Sequence, residues 1–218
     1  MKAPFISFEG GEGCGKSTQI QLLASYLRDC HQDVIVTREP GGTPGGEELR
    51  DLLLNGSPEK WHPWAELLLN NASRQDHVMR KVAPMCEKGT WVISDRYADS
   101  SRVYQGLVGG VPLEDVDRLQ FRMLKLPKPD LTFLLDLPVE KGLQRVEKRH
   151  VKIEKTNLKK EDRYEKKGLA FHKKIRSAFL YLASLEPERF IVLDAAQTEE
   201  ELASQIRDEV YTRYLKEL

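Results

Sequence analysis

The chain has 218 residues, of which 40% are hydrophobic, enough for one domain with a substantial core. Its 34 basic residues balance 34 acidic ones, so overall charge gives no pull toward nucleic acid. No 18-residue apolar run argues for a membrane helix, no signal or transit peptide is read, and three cysteines (Cys14, Cys30, Cys86) without CxxC spacing argue against a disulfide framework or zinc site; a cytoplasmic protein is expected.

The first predicted strand, residues 5–8, ends at Glu9 and runs directly into Gly10-Gly11-Glu12-Gly13-Cys14-Gly15-Lys16-Ser17-Thr18. This is G-x-x-x-x-G-K-S between an apolar strand and a segment, 16–30, whose Ile20, Leu22, Leu23, Tyr26 and Leu27 make a helical apolar face. The four glycines free the backbone to wrap its N–H groups around a polyphosphate. Lys16 is placed to reach the outer phosphates, and the Ser17 hydroxyl to ligate Mg²⁺. The positive end of the following helix adds to the attraction. A glycine-rich turn with no ligand is the bland alternative, and the strand–loop–helix setting disfavours it.

Further strands are predicted at 34–37, 91–94, 131–135 and 190–193. Each is short and apolar without alternation, the pattern of strands buried on both faces of a parallel sheet. Helices are predicted at 16–30, 45–54, 64–88, 98–125, 138–148, 161–185 and 198–217. The alternation implies a three-layer α/β/α fold with a parallel sheet, and residues 1–218 as one domain. Between Lys141 and Arg176 stand 14 Lys or Arg against 5 Asp or Glu, and the weakly periodic part of that stretch reads as a basic flap able to close over phosphates. The five histidines are scattered and read as ordinary surface or helix residues.

Ligands of an open parallel sheet bind beyond the carboxyl ends of its strands. Asp95, after the apolar strand 91–94, is the predicted second acid that holds a metal-bound water; Asp136 ends another strand and competes for that role. The adjacent Arg96 favours Asp95, because a metal beside a guanidinium suits two phosphate groups brought together. Arg50, Arg74 and Arg96 come from three different elements and are candidates to grip a second phosphate.

The phosphate loop, Thr-Arg-Glu-Pro-Gly-Gly-Thr at 37–43, Glu-Glu-Leu-Arg at 47–50, Ser-Asp-Arg-Tyr at 94–97, Ser100-Ser101 with Tyr104-Gln105-Gly106, the strand-end Asp136 and Asp-Arg-Tyr-Glu at 162–165 stand in one order along the chain. Together they closely resemble the bacterial thymidylate kinases. The resemblance implies transfer of the γ-phosphoryl group of ATP to dTMP with Mg²⁺, a five-stranded parallel sheet, and a cytoplasmic homodimer. It puts Gly10, Gly11, Glu12, Gly13, Cys14, Gly15, Lys16, Ser17, Thr18 and Arg145 on the ATP side. It puts Arg50 and Arg96 on the acceptor phosphate, Glu39 near the acceptor's sugar and phosphate, and Arg74, Ser101 and Gln105 around thymine, with Ser100 among the acceptor residues. Tyr104 matches the aromatic that lies against the deoxyribose.

Some members of this family carry the transition-state arginine in the phosphate loop and others in the lid. The loop here has no base at Glu12-Gly13-Cys14, so the lid at about 149–161 is expected to supply it. Arg149 matches best, with Arg145 and Arg163 as further candidates. The expected catalytic set is Lys16, Asp95, Arg96 and Arg149, with Ser17 and Asp95 at the metal. Asn70 stands where the family usually has a thymine-stacking Phe, so Trp61, Trp64 or another aromatic is a candidate replacement. That departure keeps alive a kinase of another pyrimidine monophosphate. A nucleotide-dependent switch is the reading from another class, and the absence of N-K-x-D and D-x-x-G signatures speaks against it.

Overall fold

The computed structural model describes residues 2–153 and 163–216, without the side chains of 149–153 and 165. Five parallel strands, β1 (Phe5–Gly10), β2 (Val34–Arg38), β3 (Trp91–Asp95), β4 (Leu131–Asp136) and β5 (Phe190–Asp194), form one sheet in the order β2-β3-β1-β4-β5. The three inner strands are buried almost throughout, as their unbroken apolar runs predict. β2 and β5 are partly exposed, because each edge strand has a neighbour on one side only. The expectation of double burial therefore holds for the inner strands and not for the edges.

Successive residues of a strand point to opposite faces, and two apolar layers result. Ile6, Phe8, Phe133 and Leu135 pack with Ile20, Leu23 and Leu27 of α1 (Lys16–Asp29) and with Leu202 and Ile206 of α9 (Glu199–Val210). On the other face, Leu134 packs with Ile175, Phe179 and Leu182 of α8 (Gly168–Leu185), and Phe5 and Val92 with Val78 and Val82. Burying a Leu, Ile or Phe side chain in such layers contributes roughly 1.5–3 kcal/mol. α9 starts on a capping box in which Thr198 and Glu201 satisfy each other's backbone N–H.

The remaining helices frame the carboxyl edge of the sheet: α2 (Pro44–Leu54), α3 (Pro63–His77) and, through a π turn, α4 (Ala83–Glu87). α3 and α4 form the single rod expected at 64–88. The helix expected at 98–125 is instead two: α5 (Ala98–Ser101) with its π continuation to Leu107, then α6 (Leu113–Asp117) with its own to Met123. Gly110, at φ 87°, and Pro112, the N-cap of α6, end one and begin the other. α7 (Val139–Ile153) carries the chain to the lid. Of the lid expected at 149–161, the backbone of 149–153 continues α7, and 154–161 lie outside the described residues.

Candidate functional site

β1 ends between β3 and β4, and the phosphate loop turns out of that central position into α1. Gly15 takes φ 94° as the N-cap of α1, whose first turn holds no acidic residue, so the helix offers its N–H groups and positive end to an anion. The loop is clamped by backbone contact. A Cβ on Gly13 would lie 2.2 Å from the Gly142 carbonyl oxygen, and one on Gly142 would lie 2.3 Å from that of Glu12. Only two glycines allow α7 this close, and the approach puts Arg145 where its Nη1 donates to the Gly13 carbonyl at 3.3 Å. Lys16 folds back over the loop, donating to the Gly10 and Gly11 carbonyls at 3.3 and 3.0 Å.

Asp95 and Ser17 meet as expected: the Ser17 hydroxyl donates to Asp95 Oδ2 at 3.2 Å. A hydroxyl and a carboxylate beside a phosphate loop fit Mg²⁺, which takes few protein oxygens and completes its shell with phosphate and water. Asp136, the competing acid, is held by Arg176 at 2.6 and 2.8 Å. The structure thus separates two residues that strand-end position alone leaves equivalent.

Arg96 has the left-handed φ of 67° that non-glycine residues seldom take. Its backbone is fixed there by N–H donation to Phe8 and by the Ser94 hydroxyl on its carbonyl. Its guanidinium donates to Glu12 at 2.9 Å, sits 3.8 Å from Glu9 and lies over the Tyr104 ring. Glu9 is fully buried beneath it, accepting from the N–H groups of Tyr97 and Ser100 and from the Ser100 hydroxyl. Burial pushes the Glu9 carboxyl up to about 7, against the pull of Arg96.

Across the cleft, Glu39 is buried between an arginine and a histidine. Arg74 Nε donates to it at 2.6 Å, and His77 Nδ1 lies at 2.9 Å, with the other ring nitrogen 2.7 Å from Thr37 Oγ1. Arg74 also reaches Asn71, Ser101 and the Tyr97 carbonyl, so four of its five N–H donors hold the acceptor wall. Arg50 Nη1 donates to the Pro40 carbonyl at 2.8 Å. Gln105 Nε2 donates to the buried Glu66 at 2.6 Å, and the Asn70 amide bonds back to the Glu66 carbonyl at 2.9 Å.

One cleft of about 640 Å³ joins both halves, lined from Glu12 to Thr18 by the loop and by Glu39, Arg50, Asn70, Arg74, Asp95, Arg96, Ser100, Ser101, Tyr104, Gln105 and Arg145. Gly10 and Gly11 lie behind the loop, outside that lining. The side chain of Arg149 lies outside the described residues; its backbone is on α7, four residues past Arg145 and so on the same helical face. A family model, thymidylate kinase, matches residues 8–206. The chain belongs to that family.

Among curated relatives, the thymidylate kinase of Caulobacter vibrioides is 46% identical over 209 residues, covering 96% of each chain. That of Bartonella quintana is 45% identical, covering 95% of each. A crystal structure of thymidylate kinase from Ehrlichia chaffeensis superposes with a TM-score of 0.74 at 27% identity, over 96% of this chain and 99% of that one.

Four residues of this member's site are absent from the sequence-based set. Glu9 is a strand-end acid next to the first glycine, visible in the sequence by position but with no role attached to it. His77 follows Arg74 by three residues on one helix face, which places both on Glu39; it is no ordinary helix histidine. Glu66 and Tyr164 meet Gln105 only through the fold; Tyr164 stands in the Asp-Arg-Tyr-Glu stretch that carries the resemblance, but nothing in that stretch ties it to Gln105. Three candidates fall away. Trp61 and Trp64 do not line the cleft, whose aromatics are Tyr97, Tyr104 and Tyr164. Arg163 is buried, with its guanidinium on Glu66 and on the Leu53, Ser57 and Pro58 carbonyls, which removes it as a lid arginine.

Proposed function

We infer that the two walls of this cleft divide the work of a phosphoryl transfer between two nucleotides. As a member of its family, the chain is an ATP-dependent nucleoside monophosphate kinase that transfers the γ-phosphoryl group of ATP to dTMP, giving dTDP and ADP. The observation that carries the division of labour is the single cleft lined by both the phosphate loop and the Glu39–Arg74–Gln105 wall.

On the donor side, residues 12–18 and Arg145 hold the ATP phosphates, with Lys16 on the outer ones and Gly10 and Gly11 shaping the loop from behind. Ser17 and Asp95 would hold Mg²⁺, which neutralises phosphate charge when bound. On the acceptor side, Arg96 and Arg50 hold the dTMP phosphate, Glu39 lies near its sugar, Tyr104 lies against the deoxyribose, and Ser100, Ser101, Gln105 and Asn70 surround the rest. Arg74 supports that wall through Glu39. A phosphate monoester carries about −1.5 to −2 charge near neutral pH, so its oxygen is a ready nucleophile and needs no general base. The residues act by aligning two polyanions and cancelling their repulsion. Arg96 already pairs with Glu12 and Glu9, and an incoming phosphate takes over from Glu12.

Free cysteines at 14, 30 and 86 favour a cytoplasmic location, and among the described residues no helix is long and apolar enough to cross a membrane. The acceptor is tested by coupled ADP release with dTMP, dUMP, dCMP and UMP. The expected result is a kcat/KM for dTMP at least tenfold above the others; equal rates on all four would sink thymidylate selectivity.

A further inference from the structure

We propose that Glu66 is a positioning residue that fixes the orientation of the Gln105 amide and thereby selects pyrimidines carrying an N3–H over those with a bare N3. The proposal rests on Gln105 lying on the base side of the acceptor site, as the functional reading has it. Glu66 is 6% exposed, on the inner face of α3. Its Oε1 accepts from Gln105 Nε2 at 2.6 Å and from the Tyr164 hydroxyl at 2.5 Å; its Oε2 accepts from Arg163. Arg163 gives three of its other four N–H donors to backbone carbonyls, so the carboxylate is held from behind by a buried cation fixed on several sides.

A carboxylate only accepts, so the group Gln105 turns toward it must be the NH₂. The planar amide then turns its carbonyl oxygen away from Glu66, and no described residue donates to that oxygen. Gln105 is buried and lines the cleft, so the oxygen is an acceptor awaiting a ligand donor. Thymine and uracil present N3–H there. Cytosine presents a lone pair, leaving two acceptors facing each other in a buried place, which selection by hydrogen bonding penalises heavily. Glu66 need not touch substrate to exert this effect.

The test compares kcat/KM for dTMP and dCMP in the wild type and in Glu66→Gln, whose amide both donates and accepts and so releases the constraint on Gln105. The dTMP/dCMP ratio is expected to fall at least tenfold. Because this variant also loses the charge facing Arg163, Glu66→Asp is measured beside it; it keeps the charge but withdraws the carboxylate by one methylene, and the same direction of change is expected. A merely structural role would lower both acceptors together with the Tm and leave the ratio unchanged, which overturns the proposal. A wild type with no dTMP-stimulated ADP release would instead overturn the functional reading beneath it.

Discussion

Glu9 shows how one buried side chain ties the phosphate site to stability. A free glutamate titrates near 4.5, whereas burial raises Glu9 to about 7. Between those values the native state binds more protons than the unfolded one, so this group's contribution is complete below about 4.5 and is lost as pH rises through about 7. The change is worth on the order of 3 kcal/mol, at ~1.4 kcal/mol per pKa unit. Melting temperatures from pH 5 to 8 are expected to fall for the wild type and to fall clearly less for Glu9→Gln. Parallel curves for the two proteins would show that Glu9 does not titrate in this window. Its neighbour Arg96 shows a different residue-scale effect, a left-handed backbone locked by Phe8 and Ser94 so that its guanidinium faces the cleft.

α7 is the element whose placement bears most on the reaction. Its glycine contact with the loop fixes its first turns and delivers Arg145 to the Gly13 carbonyl. Arg149 stands one turn farther along, about 6 Å at 1.5 Å per residue. Arg149→Ala is expected to lower kcat by 10²-fold or more, as loss of a transition-state contact does, with little change in KM for dTMP. Unchanged kcat in steady-state assays would move the role to Arg145, since Arg163 is committed to the α2–α3 corner. The stretch 98–125 breaks into two helices for a local reason: Gly109, Gly110 and Pro112 outweigh the periodicity around them.

At the scale of the molecule, the α3–α4 rod carries exposed Trp64 and Leu68, four residues apart on α3, and exposed Met79 in the π turn that follows. If the homodimer expected from the family resemblance forms, these exposed apolar side chains are the expected seam between its two copies. Light scattering is expected to give twice the 25.0 kDa chain mass, and Leu68→Glu to return it toward one. A wild-type mass of one chain would refute the dimer.

The sheet, the phosphate loop and the acceptor motifs can be read along the chain, because each is local: an apolar run of strand length, glycines at fixed offsets, a charged residue at a strand's end. Lys16, Ser17, Asp95, Arg96 and Glu39 were legible on those grounds or through the motifs that carry the family resemblance. Contacts between distant segments come from the packing of the folded chain. It separated Asp95 from Asp136 by giving the latter to Arg176, and buried Arg163 against carbonyls. It also joined Glu66, Gln105 and Tyr164 across 98 positions of chain. A side chain's partners and burial follow from how helices and strands pack together, and that arrangement leaves no period or spacing in the chain that makes it.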